Sequence, residues 1–215
     1  MSKKRLKEVQ QYTIEQFMKT TSIMGSSFSH DEKNILFTSD KSGIYNAYMI
    51  SVKGGESKQI THSDSTSIFH LTFFPKDNRI LFTGDHYGNE IYLIYLQKED
   101  GSIRDLTPYE NARSVFSGWS HDKKSFYFEC NKRNPKYMDI YEMDIETFQP
   151  KMIYRNDAGY KFGKISNNKQ FMVFNKIITN HNSDMYLYDQ ETKEIVRLFP
   201  HEGDINYFPV TFSVD

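Results

Sequence analysis

One short phrase returns through the chain at a nearly constant interval: Phe28-Ser29-His30-Asp31, Phe74-Pro75-Lys76-Asp77, Trp119-Ser120-His121-Asp122, Ile165-Ser166-Asn167-Asn168 and Phe212-Ser213-Val214-Asp215. Its fourth positions, Asp31, Asp77, Asp122, Asn168 and Asp215, are 46, 45, 46 and 47 residues apart. A period in the mid-forties that repeats short strands and turns is the pattern of a β-propeller. The carboxylate or amide of the fourth residue can accept a backbone N–H two residues on, which favours a tight turn there. These five residues are therefore read as structural turns. His30 and His121 share a repeat position with Lys76 and Asn167, which marks them as exposed turn residues.

The remaining columns keep the same phase. A run of β-branched and aromatic residues follows each complete phrase: Ile35-Leu36-Phe37, Ile80-Leu81-Phe82, Phe126-Tyr127-Phe128 and Phe171-Met172-Val173-Phe174. Such runs after a turn read as buried strands. A third strand carries a tyrosine, Tyr48, Tyr92, Tyr141 or Tyr186, and a fourth closes on Ile60, Leu106, Ile153 or Leu198. Thr61 and Thr107 follow the first two closing residues. The tyrosine spacing stretches to 49 between Tyr92 and Tyr141, and a long projecting loop over 130–138 accounts for it. The strands entering the turn phrases, 23–28, 67–74, 114–119, 160–165 and 207–212, mix small and polar residues with aromatics. That composition suits strands crowded near a central channel.

The expected architecture is all-β: four four-stranded blades plus the first strand of a fifth, a partial propeller preceded by a short helix. A basic tail and helix occupy 1–20. The partial propeller fills 21–215, with blades at about 21–62, 66–108, 112–155 and 158–200 and a fifth-blade strand at 206–215. Thr13-Ile14-Glu15-Gln16 has capping-box spacing and starts a helix that runs to about Lys19. That helix either packs on the propeller rim or serves as a docking handle.

With 215 residues and a net charge of −1, nothing draws the chain toward nucleic acid. Cys130 is the only cysteine, so no internal disulfide forms and a reducing, cytoplasmic setting is expected. No run of eighteen apolar residues exists to cross a membrane, and no apolar stretch follows the basic start Lys3-Lys4-Arg5 to make a secretory signal. No metal-ligand spacing, phosphate loop or cofactor motif stands out. Gly118-Trp119-Ser120, followed by His121 and Asp122, looks like a nucleophile elbow. Three successive turn residues do not converge as a relay, however, and the elbow needs glycine where Asp122 stands.

Phe-Ser-x-Asp followed by an apolar strand and a tyrosine-bearing strand resembles the TolB-like propeller repeat. Tyr12-Thr13-Ile14-Glu15-Gln16-Phe17, Ser26-Ser27-Phe28-Ser29-His30-Asp31 and Gly43-Ile44-Tyr45-Asn46-Ala47-Tyr48 resemble the N-terminus of the prolyl oligopeptidase family, in the style of its acylaminoacyl-peptidase and dipeptidyl-peptidase branches. The resemblance implies a propeller that gates and positions peptides for a C-terminal α/β-hydrolase domain holding the catalytic triad. No catalytic residue carries over to this chain, because the matching stretch is all propeller. A TolB-like propeller that recruits a protein or peptide is the alternative.

An interrupted ring leaves two blade faces without neighbours. Losing the burial of about five large apolar side chains, at roughly 1.5–3 kcal/mol each, costs on the order of 10 kcal/mol. Further blades, or a homodimer through the open edges, would cover those faces.

Overall fold

The computed structural model describes residues 11–85 and 88–213. Sixteen strands form four separate antiparallel sheets of four, and within each sheet the spatial order follows the chain order. Blade one contains β1 (Ile23–Phe28), β2 (Asn34–Ser39), β3 (Asn46–Ser51) and β4 (Lys58–Gln59). Blade two contains β5 (Ile68–Phe73), β6 (Ile80–Gly84), β7 (Leu93–Gln97) and β8 (Ile103–Asp105). Blade three contains β9 (Ser114–Trp119), β10 (Ser125–Asn134), β11 (Tyr137–Asp144) and β12 (Pro150–Tyr154). Blade four contains β13 (Lys161–Ile165), β14 (Phe171–Thr179), β15 (Asn182–Asp189) and β16 (Ile195–Leu198).

The turn phrase joins the first two strands of each blade, and its chemistry repeats. Asp31, Asp77, Asp122 and Asn168 each accept a backbone N–H two residues on, from Lys33 (3.2 Å), Arg79 (3.0 Å), Lys124 (3.0 Å) and Gln170 (3.0 Å). Where the second residue is serine, its hydroxyl adds a staple. Ser29, Ser120 and Ser166 accept N–H groups from Asn34, Ser125 and Phe171 at 3.0, 3.0 and 2.9 Å. Pro75 has no hydroxyl, and blade two closes that turn with Phe74 N–H on Arg79 O at 2.8 Å. Asp215 lies outside the described residues.

Packing runs between blades, because a strand exposes alternate side chains to opposite sheet faces. Leu36 and Ala47 meet Ile68, Ile80 and Phe82 between blades one and two. Leu81, Ile94 and Leu96 meet Phe126, Phe128 and Met143 between blades two and three. Tyr127 and Ile140 meet Phe162, Met172 and Phe174 between blades three and four.

Three sequence expectations are corrected, and one open alternative narrows. The tyrosine of blade two is Tyr95, not Tyr92. Cross-strand partners are Phe37 with Tyr48, Phe82 with Tyr95, Phe128 with Tyr141 and Phe174 with Tyr186. The first three pairs stack at 5.8, 5.3 and 5.1 Å. Tyr92 precedes β7, so the apparent stretch in spacing came from choosing the wrong ring.

Secondly, 130–138 is mostly a hairpin rather than a loop, with Asn134 opposite Tyr137. Its polar residues are satisfied across the ladder: Arg133 donates to fully buried Asp139 through Nε (2.7 Å) and Nη2 (2.8 Å).

Thirdly, 207–212 forms no strand, because it has no ladder partner among the described residues. It still begins as an inner strand would, lying on blade four. Ser183 N–H donates to Ile205 O at 3.0 Å, Tyr207 N–H donates to Ser183 Oγ at 3.0 Å, and Asn175 Nδ2 donates to Tyr207 O. Gly163 is required at this crossing, since a Cβ there would come within 2.3 Å of Pro209 Cγ.

Lastly, helix α1 (Ile14–Met18) has the expected reciprocal cap, with Gln16 N–H on Thr13 Oγ1 at 3.3 Å and Thr13 N–H on Gln16 Oε1 at 2.9 Å. It buries no side chain and so does not pack on the rim.

Candidate functional site: the inner wall of the propeller

The inner strands β1, β5, β9 and β13 share a feature that the sequence did not reveal. Each contains one residue more than its partner at the same step. The register shifts between Met24 and Ser27, between Phe69 and Thr72, across Ser117, and between Phe162 and Lys164. A bulge of this kind bends the strand and re-aims its side chains. Gly25, with φ of 61°, supplies the left-handed conformation that the first bulge needs.

The re-aimed side chains meet across blades. Ser27 Oγ accepts Phe73 N–H at 3.1 Å and lies 3.4 Å from Thr72 Oγ1. Trp119 Nε1 donates to Thr72 Oγ1 at 3.3 Å. This polar seam joins three blades midway along the wall, and a cavity opens on either side of it.

Toward the starts of the inner strands, a half-open cavity of about 300 Å³ is bordered by Met24, Phe69, Thr83, Tyr92, Arg113 and Phe116. Aromatic rings step across the blades here, with Tyr45 and Phe69 at 5.1 Å and Phe69 and Tyr92 edge-on at 6.0 Å. The Arg113 guanidinium ends the series 5.4 Å from the Tyr92 ring centre. Toward the turn phrases, about 490 Å³ lies among Phe28, His30, Pro75, Trp119, His121 and Lys123. A larger groove of about 610 Å³ lies away from the wall, between the outer strands of blades one and two, and includes Lys58, Gln59 and Glu99.

The electrostatics are mostly structural. Ser29 and Ser120 hydroxyls and the amides of Lys33 and Lys124 hold the Asp31 and Asp122 carboxyls down at about 2. Burial works against the charge of Lys169, but its 2.7 Å contact with Glu142 and the nearby Asp122 outweigh that, so its pKa is raised. Burial pushes the Glu129 carboxyl up, although it accepts hydrogen bonds from the Phe162 amide and from Ser117 Oγ at 3.2 Å. Burial also raises the Cys130 thiol, which is fully enclosed.

Ser120 forms no relay with His121. Its hydroxyl lies 2.6 Å from Asp122 Oδ1 and 2.9 Å from Ser125 O, the same geometry Ser29 and Ser166 show with Asp31 and Asn168 at 2.7 Å. His121 is exposed and makes no hydrogen bond to either neighbour among the described residues. No group of three metal-ligating side chains occurs among the described residues, and no described helix is long and apolar enough to cross a membrane.

Structural likeness follows the same outline. TolB from Acinetobacter baumannii matches with a TM-score of 0.59 at 18% identity, covering 85% of this chain and 45% of that one. A puromycin-hydrolyzing peptidase of Mycobacterium tuberculosis matches at 0.65 and 11% identity, covering 89% of this chain and 33% of its own. A prolyl endopeptidase matches at 0.60 and 13% identity, covering 86% and 30%. The chain thus spans less than half the length of each of these three proteins. No family model matches the sequence, and no curated protein does. The fold is a TolB-like β-propeller, resembling the propeller of the prolyl oligopeptidase family.

Proposed function

We propose that this chain is the non-catalytic propeller portion of a prolyl-oligopeptidase-like serine peptidase, admitting and positioning peptides for an α/β-hydrolase domain outside it. The observation that carries this reading is the bulged inner wall. It is flanked by two cavities, of about 300 and 490 Å³, lined by rings, hydroxyls and one guanidinium. Small-molecule sites typically start at about 300 Å³. The serine that most resembles a nucleophile is held as a turn staple, which supports assigning the chemistry to another domain.

The only tryptophan, Trp119, lines the larger of these cavities and packs 5.5 Å from Phe116, which lines the smaller. Short tryptophan-free peptides should therefore change its emission saturably, while a folded protein displaying the same residues in a rigid loop should not. Silence toward every peptide would overturn the reading. A response to the folded protein alone would favour the recruiting propeller instead, for which exposed Ile14, Phe17 and Met18 of α1 offer a contact surface. A serine-directed fluorophosphonate should leave the chain unlabelled.

The cytoplasm belongs to the same proposal, supported by the lone, buried Cys130. So does pairing with a second copy over the open faces, where Val196 is exposed and Phe37 half-buried.

A further inference from the structure

Arg113, like Arg104 but unlike the other described arginines, has no ion pair among the described residues. Arg79, Arg133, Arg155, Arg197 and Lys169 all lie within 3.5 Å of a carboxylate. The Arg113 backbone is fixed, with the N–H donating to Asn131 Oδ1 at 2.7 Å just before β9 begins. Glu129, opposite Val115 in the ladder, already accepts from Ser117 and Phe162. The Arg113 charge is felt at Glu129 without forming an ion pair, and Arg113 lines the cavity of about 300 Å³, with its guanidinium over Tyr92 and Phe69, Phe116 and Met24 as the apolar wall.

A guanidinium presents a planar fork of donors that matches a carboxylate in bidentate fashion. An aromatic face beneath it restricts the orientation of that fork. The cavity has room for roughly one large side chain beside the charged group, and no second cation lines it.

We infer that Arg113 is a ligand-binding residue, and that this cavity takes a peptide carboxylate together with an adjacent apolar side chain. The inference rests on the peptide-admitting reading above and names the peptide class. The carboxylate can come from a free C-terminus or from an acidic side chain, and both present the same two oxygens.

Trp119 emission again provides the readout, using three peptides: Ala-Ala-Phe as the free acid, Ala-Ala-Phe as the C-terminal amide, and Ala-Glu-Phe as the amide. An ion pair to an exposed guanidinium contributes up to about 1 kcal/mol, which corresponds to roughly a five-fold change in affinity. At least one carboxylate-bearing peptide should bind tighter than the neutral amide by about that factor. R113Q should abolish the difference. R113K should restore part of it. The Arg113 side chain is exposed, so an unchanged melting temperature in R113Q verifies that the fold survives. The better-bound carboxylate peptide identifies the source. Equal binding of all three peptides, or a difference that persists in R113Q, would overturn the inference while leaving the peptide-admitting reading intact. Absence of binding by every peptide would overturn both.

Discussion

Thr61 and Thr107 close the third strand of blades one and two by the same contact. Ala47 N–H donates to Thr61 Oγ1 at 2.8 Å, and Ile94 N–H donates to Thr107 Oγ1 at 2.8 Å. Both threonines are buried. Substitution by valine keeps the shape and removes the acceptor, leaving a buried amide unpaired at a cost of about 1–3 kcal/mol. Thr107→Val should fall toward the lower end, near about 1–2 kcal/mol, since that contact is the main one lost. Thr61→Val should cost more, about 2–3 kcal/mol, because Thr61 Oγ1 also donates to Asn46 Oδ1 at 2.9 Å. Asn46 is fully buried and holds Ser63 through both its amide atoms at 2.9 Å, so a second polar group is left short of a partner. The sites lie in different blades, and the double variant should lose the sum within about 0.5 kcal/mol. Urea unfolding gives the energies, and amide exchange at Ala47 and Ile94 locates the damage. If both variants matched the native protein, or if Thr107→Val were the more damaging, the assigned role of these hydroxyls would be wrong.

Acid should weaken the turns within a defined window. The folded-state pKa values of Asp31 and Asp122 are lowered to about 2, so their contribution is fully present above the ordinary carboxylate range near 4 and is lost as pH falls from there toward 2. Melting temperature followed from pH 5 to 2 should drop over that interval, and D122N should flatten part of the drop, since Asn168 already serves that position in blade four. Burial differences between blades make another test. Phe128→Ala, inside the interface of blades two and three, should cost about 3–5 kcal/mol. Phe37→Ala removes the equivalent ring from the face of blade one that has no blade against it among the described residues, and should cost below about 2 kcal/mol. Equal losses on urea unfolding would mean that this face is covered.

The repeat was legible because the turn phrase and the apolar run after it encode local events: an Asx contact two residues on and a strand buried from both sides. Tyr92 was mistaken for Tyr95 because both rings sit in Ile91-Tyr92-Leu93-Ile94-Tyr95, and only the partnership with Phe82 distinguishes them. The hairpin over 130–138 was hidden by Asn131, Lys132 and Arg133, which read as loop until Asp139 is placed opposite. Bulges left no common sign, since glycine marks some of them and not the one in β5. Arg113 belongs to no motif. Its surroundings come from Met24, Phe69 and Tyr92, which lie in two other blades, and only assembly of the wall makes it a candidate.

The way 205–209 lies on blade four shows that the covalent repeat and the folded unit are out of step. Asn175 and Ser183 depend on Tyr207 from the following repeat, while Phe208 and Val210, 67% and 79% exposed, point away from that contact. A fragment cut after Leu198 would keep every strand of the fourth sheet yet remove Tyr207 from Asn175 and Ser183, leaving their side chains only their 3.2 Å contact with each other. Dissection of this protein into autonomous pieces should therefore place its seams inside the inner strands, not at the obvious gaps between sheets.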